Sequence, residues 1–161
     1  MTRAGGRVRA VDGSVPLARL FAVAYRQLVL DLHAELEHRG WTDLRPATGF
    51  TLLTLREGPL TGVDLATVLG MTKQATAKLV DEMVSSGYVE RSTGTHDARL
   101  RPIALTDRGR KLLAAAEEIY ADLESRWAAR IGEDHLTVLR NDLVSVLSQE
   151  NGELPPVRPL W

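Results

Sequence analysis

The chain has 161 residues, one domain's worth, of which 44% are hydrophobic and 25% charged, so a sizeable buried core is within reach. No apolar run approaches the ~18 residues of a membrane span, and the basic N-terminus (Met1, Arg3, Arg7, Arg9) is not followed by the apolar stretch of a secretory signal, which predicts a cytoplasmic protein with no membrane partner. The absence of cysteine removes disulfides, thiolate zinc sites, thiol nucleophiles and thiol redox sensing, while the net charge of −1 hides a gradient: 8 basic against 6 acidic residues in 1–60, 8 against 6 in 61–111, and 4 against 9 in 112–161.

Residues 1–13, with Gly5, Gly6 and Gly13 and little apolar material, predict a flexible basic arm. From Pro16, the residues Leu17, Leu20, Phe21, Ala24, Leu28, Leu32 and Leu36 recur at spacings of three and four and predict a long helix ending near Gly40. Pro46 stands at a first helical position, and Phe50, Leu52, Leu53 and Leu55 carry a second helix to the Gly58-Pro59 turn. Thr61 and Asp64 form a capping pair for a short helix Val63–Leu69, Gly70 interrupts it, and Thr72 caps the next helix. That helix spans 72–86, with Ala75, Leu79, Val80 and Met83 predicted inward and Gly87 ending it.

After Gly87 the period shortens to two. Tyr88–Ser92, a polar loop and Leu100–Leu105 predict a β-hairpin over 88–105, in which Pro102 makes the second strand irregular because it cannot donate to a ladder. Thr106 and Asp107 then start a long helix with Leu112, Leu113, Ala116, Ile119, Leu123, Trp127 and Ile131 at near-heptad spacing, broken at Gly132. A last helix carries Leu136, Leu139, Leu143, Val146 and Leu147, and the tail 151–161, with three prolines, is predicted to be extended. The fold class is mainly α with a small antiparallel β wing.

Helix, tight turn and helix followed by a hairpin is an arrangement suited to duplex DNA, whose major groove admits a helix. The outward side of helix 72–86 offers Thr72, Lys73, Gln74, Ala77, Lys78 and Asp81. Gln can pair with adenine, Lys can reach guanine or phosphate, and the Ala methyl can touch thymine, although a capped helix with a solvated polar side is also commonplace. In the hairpin loop Asp97 can orient Arg99, an arginine suited to the negative potential of a narrow minor groove; spacing alone favours a surface ion pair. Arg91 and Arg101 stand beside them for backbone contacts.

The stretch from Asp97 to Thr106 matches D-x-R-x5-L-T. Together with Leu65-Ala66, Gly87-Tyr88-Val89-Glu90-Arg91 and Gly109, it resembles the MarR-type transcriptional regulators, in element order as well as motif, over roughly 16–148. The resemblance implies a winged helix-turn-helix regulator, a repressor or an activator, acting as a homodimer on a pseudo-palindromic operator and often released by a small ligand. It places Asp97 and Arg99 as the wing pair in the minor groove and Thr72, Lys73, Gln74, Ala77 and Lys78 on the reading helix. The expected organisation is one domain over 14–150, with a winged helix-turn-helix at 44–106 between dimerisation helices at 14–40 and 107–150. Broad apolar stripes on those outer helices fit burial against a second copy, or else an intramolecular three-helix core.

An effector pocket is expected where the first, second and long fifth helices meet, with Tyr25, His33, Trp41, Phe50 and Trp127 as amphipathic or aromatic candidates for an aromatic or anionic ligand, although packing is the favoured role for each. No metal site, cofactor or catalytic residue is expected. His33 and His38 are five apart and do not share a helix face, and no nucleophile elbow, phosphate-cradling glycine loop or H-E-x-x-H is present. A winged helix that binds proteins rather than DNA is the alternative reading.

Overall fold

In the computed structural model, residues 15–42, 44–92 and 101–155 are described. They form helices α1 (Leu17–His38), α2 (Pro46–Arg56), α3 (Gly62–Leu69) and α4 (Lys73–Ser85), strands β1 (Val89–Arg91) and β2 (Ile103–Leu105), and helices α5 (Asp107–Ile131) and α6 (Glu133–Leu147). The expected arm 1–13, the wing tip with His96, Asp97 and Arg99, and the end of the proline-rich tail lie outside the described residues.

Threonine hydroxyls start three of the helices. Thr61 accepts from the Asp64 amide at 3.2 Å and donates to the Asp64 carboxylate at 2.7 Å, Thr72 accepts from the Ala75 amide at 3.1 Å, and Thr106 accepts from the Gly109 amide at 3.0 Å. Each satisfies an amide that the first helical turn leaves without a partner, worth about 1 kcal/mol. Gly70 ends α3 at φ 66°, a left-handed conformation that costs glycine nothing, and so lets α4 leave at a new angle.

The core gathers Leu52 of α2, Leu65 and Leu69 of α3, Val80 of α4, Val89 of β1 and Ile119 of α5, none more than 2% exposed. Burying each such side chain contributes about 1.5–3 kcal/mol. β1 and β2 pair antiparallel with Val89 opposite Leu105, and Leu60 adds a bridge to Ile103, so the hairpin is tied to the turn before α3. A close joint fixes the hairpin to α5. Thr106 donates its hydroxyl to the Gly87 carbonyl at 2.5 Å and its amide to the Tyr88 carbonyl at 3.1 Å, and a Cβ at Gly109 would stand 2.1 Å from the Tyr88 oxygen. Only glycine fits there. Arg108, one residue earlier, lies 5.4 Å from the Trp41 ring centre and 5.2 Å from that of Tyr88, clamping the loop before α2 to the same joint.

The structure departs from the sequence reading at several points. Ala75 is exposed and Thr76 takes its place on the inward side of α4, because the Thr76 hydroxyl is satisfied by the Thr72 carbonyl at 3.0 Å and leaves a methyl to pack. Pro102 lies just before β2 rather than within it; its carbonyl accepts from Ser92, so its missing amide interrupts nothing. Trp127 is only partly buried, and the buried residue at that level of α5 is Ala128. Residues 149–153 form a turn, with the Gln149 amide donating to the Glu153 carbonyl, where an extended tail was expected.

Candidate nucleic-acid interface

α4 is anchored by Thr76, Leu79, Val80 and Met83, which are buried, so its opposite side is fixed outward. Thr72, Lys73, Gln74, Ala77, Lys78 and Asp81 are all exposed there, in the arrangement that the sequence places on the reading side. The cap on Thr72 makes the first turn the electropositive end of the helix, where Lys73 adds a full charge. Most charges on this side are not spent on one another. Among the described residues Lys73 and Lys78 make no ion pair, whereas Asp81 holds Arg91 of β1 at 2.8 Å and Glu82 holds Arg45 at 2.9 Å.

Of the wing residues singled out in the sequence, Arg91 and Arg101 are described and Asp97 and Arg99 are not. Arg91 and Arg101 line one depression together with Gly62, Val63, Lys73, Thr76, Ala77 and Val80, where the bases of the hairpin, α3 and α4 meet. This brings four of the expected DNA-contact residues, Lys73 and Ala77 of α4, Arg91 of β1 and Arg101 just before β2, to one place. Hydrophobic periodicity cannot reveal it, since the juxtaposition depends on how the hairpin folds back on the helix pair.

A second, apolar cavity of about 300 Å3 lies between α1, α2 and α5. Tyr25, His33 and Phe50 line it, along with Leu32, Leu52, Leu112 and Tyr120. Trp41 and Trp127 do not: Trp41 is engaged in the stack with Tyr88 and Arg108, and Trp127 sits farther along α5. The sequence reading missed Tyr120 and Arg45. Burial pushes the Tyr120 phenol above its ordinary value, and the negative charges that Tyr25 and Glu117 can carry act the same way. Arg45 faces the cavity as well as Glu82, and Glu117, which also lines the cavity, pairs with Arg56 at 3.5 Å.

Among the described residues no group of His, Asp or Glu is placed to hold a metal ion, and no helix is long and apolar enough to cross a membrane. A comparison with curated proteins by sequence finds no match. A sequence profile of the MarR family matches residues 42–100. Among solved structures, the reduced form of MarR from E. coli is 25% identical, with 84% of this chain and 99% of that one covered and a TM-score of 0.70. A MepR variant from S. aureus, solved bound to an oligodeoxyribonucleotide, is 23% identical over 83% of this chain and 97% of that one, with a TM-score of 0.60.

Proposed function

We propose that this chain, whose residues 42–100 match the MarR family profile, is a transcriptional repressor that binds a pseudo-palindromic duplex as a homodimer, with residues 72–86 in the major groove and 88–105 reaching the minor groove. The observation that carries this reading is α4 itself, which keeps Lys73, Gln74, Ala77 and Lys78 exposed while its other side is locked into the core. The MepR variant's bound oligodeoxyribonucleotide supports the same use of the fold. Asp97 and Arg99 enter on the sequence motif alone. On this reading the protein acts in the cytoplasm, needs no cofactor and is not an enzyme.

The homodimer is supported by what one copy leaves uncovered. α6 has no buried residue, with Val138, Val146 and Leu147 more than half exposed, and Leu17, Leu20 and Phe21 of α1 are exposed too. A second copy zipped along these helices would bury them and set two reading helices about 34–36 Å apart, one turn of duplex. The acidic surplus of 112–161 suits a module held away from phosphates.

The apolar cavity is read as an effector pocket for an aromatic acid. Its walls suit a ring, and Arg45 is its cation. An anionic ligand drawing on Arg45 competes with Glu82, and so acts on the helix that reads DNA. The experiment for the whole reading is anisotropy with labelled duplexes at two salt concentrations, for wild type, Lys78→Ala and Arg99→Ala. Wild type is expected to bind with a clear salt dependence, and both variants to bind more weakly with unchanged helix content. A protein indifferent to every duplex in low salt is instead a protein-interaction module.

A further inference from the structure

The depression at the base of the wing has a composition that base reading does not require. Lys73 comes from the first turn of α4, Arg91 from β1, and Arg101 from the residue pair before β2, yet all three line the same concavity of about 450 Å3. Its remaining lining is small or aliphatic: Gly62, Val63, Thr76, Ala77 and Val80. Among the described residues no carboxylate lines it. Asp81 touches Arg91 at 2.8 Å, and nearby Asp64 is held by the Thr61 hydroxyl. The Arg101 Nε is shut off from solvent and meets no hydrogen-bond partner among the described residues, although a guanidinium carries five donors and leaving a buried one unpaired is costly. With Arg91 already held by Asp81, the hollow keeps the Lys73 charge and the unpartnered Arg101 Nε available to an anion supplied from outside.

We propose that Lys73, Arg91 and Arg101 together seat one phosphodiester of the DNA backbone at the base of the wing, so that Arg101 is a positioning residue that fixes register and reads no base. The inference rests on the duplex-binding reading above. It goes further in assigning three cations to a single phosphate, where three exposed cations would ordinarily serve three. Arg91 reaches that phosphate while still tethered by Asp81, which holds the guanidinium at the rim.

The test is the slope of log K against log salt, which becomes shallower by about 0.9 for each phosphate that the protein no longer neutralises. Wild type, Lys73→Met, Arg101→Met and the double variant are titrated with one duplex and with a second of unrelated sequence. Methionine keeps most of the apolar stem, and Lys73 is exposed, so that arm does not depend on the packing around Arg101. The double variant is expected to lose one increment and no more, so that wild type falls about 3.5-fold further than it does between 50 and 200 mM salt, equally on both duplexes, and each single variant to lose no more than that one increment. A double variant that loses two increments, or one that keeps the wild-type slope, would overturn the shared seat while leaving duplex binding intact. Wild type without affinity for any duplex overturns both readings. Inorganic phosphate alone, titrated calorimetrically, is expected to give no saturable binding in the millimolar range; saturation there would assign the seat to a free anion and overturn the backbone assignment.

Discussion

The middle of this chain and its two ends solve the same problem in opposite ways. From α2 to β2 each element finishes its packing within one copy: Leu52, Leu55, Leu65, Leu69, Val80, Met83 and Val89 are all buried, and threonine caps close the starts of α3 and α4. In α6 nothing is buried, and in α1 only Leu32 and Leu36 are. α1 nevertheless meets α5 through Arg39 to Glu118 at 3.0 Å and Glu35 to Arg126 at 3.1 Å, and α6 meets α5 through Arg140 to Glu124. Such exposed pairs contribute little, roughly 0–1 kcal/mol each. The lesson is that the ends are packed on one side only and leave apolar side chains such as Leu17, Leu20, Val146 and Leu147 exposed, as expected of surfaces completed by another molecule.

The largest expected effect lies in the middle. Leu65 is fully buried at the centre of the helix-turn-helix, and Leu65→Ala should cost about 2–5 kcal/mol in urea unfolding, through lost burial and the cavity left behind. A cost below about 1 kcal/mol would mean that this core is less settled than its burial says. Next comes the ends' own test. Leu20→Asp combined with Leu147→Asp should turn the particle seen by analytical ultracentrifugation from dimer to monomer while the helical signal stays near wild type. Retention of the dimer would place the interface elsewhere, and loss of all structure would show that these side chains support one copy's fold.

The smallest effect concerns the cavity between the two regions. Because burial raises the Tyr120 phenol, Tyr120→Phe should remove a late component of the ultraviolet titration. For the sign, a group whose folded value lies above its unfolded value contributes stability in full below the ordinary value of 10.0 and loses it as pH rises through the folded value. Alkaline unfolding of the Tyr120→Phe variant should therefore begin at higher pH than that of wild type. An identical titration in the variant would contradict the burial of this phenol.

Much of this architecture is legible in the sequence, for reasons that are local. Thr61, Thr72 and Thr106 are capping residues at the spacing that capping requires, and Pro46 stands at the first position of α2. Apolar spacing finds Leu79, Val80 and Met83, but misses Thr76, since a threonine bonded to the carbonyl four residues back is polar in composition and apolar in packing. Trp127 misleads in the other direction: a large aromatic on the apolar stripe of α5 ends half-covered where the copy runs out of partners. The approach of Gly109 to Tyr88, the bridge from Leu60 to Ile103, the pairing of Arg45 with Glu82, and the gathering of Lys73, Arg91 and Arg101 all join residues distant in sequence. Each depends on tertiary closure, which no local pattern carries. For the candidate site, the sequence supplies the residue types and the fold supplies their grouping.

Paired recognition of a duplex is tested by footprinting the purified protein on the DNA upstream of its own coding sequence in low salt. Two inverted half-sites centred one helical turn apart should be protected, and Lys78→Ala should weaken both together. Uniform cleavage at every protein concentration, or a single protected half-site bound by one copy, would contradict paired recognition.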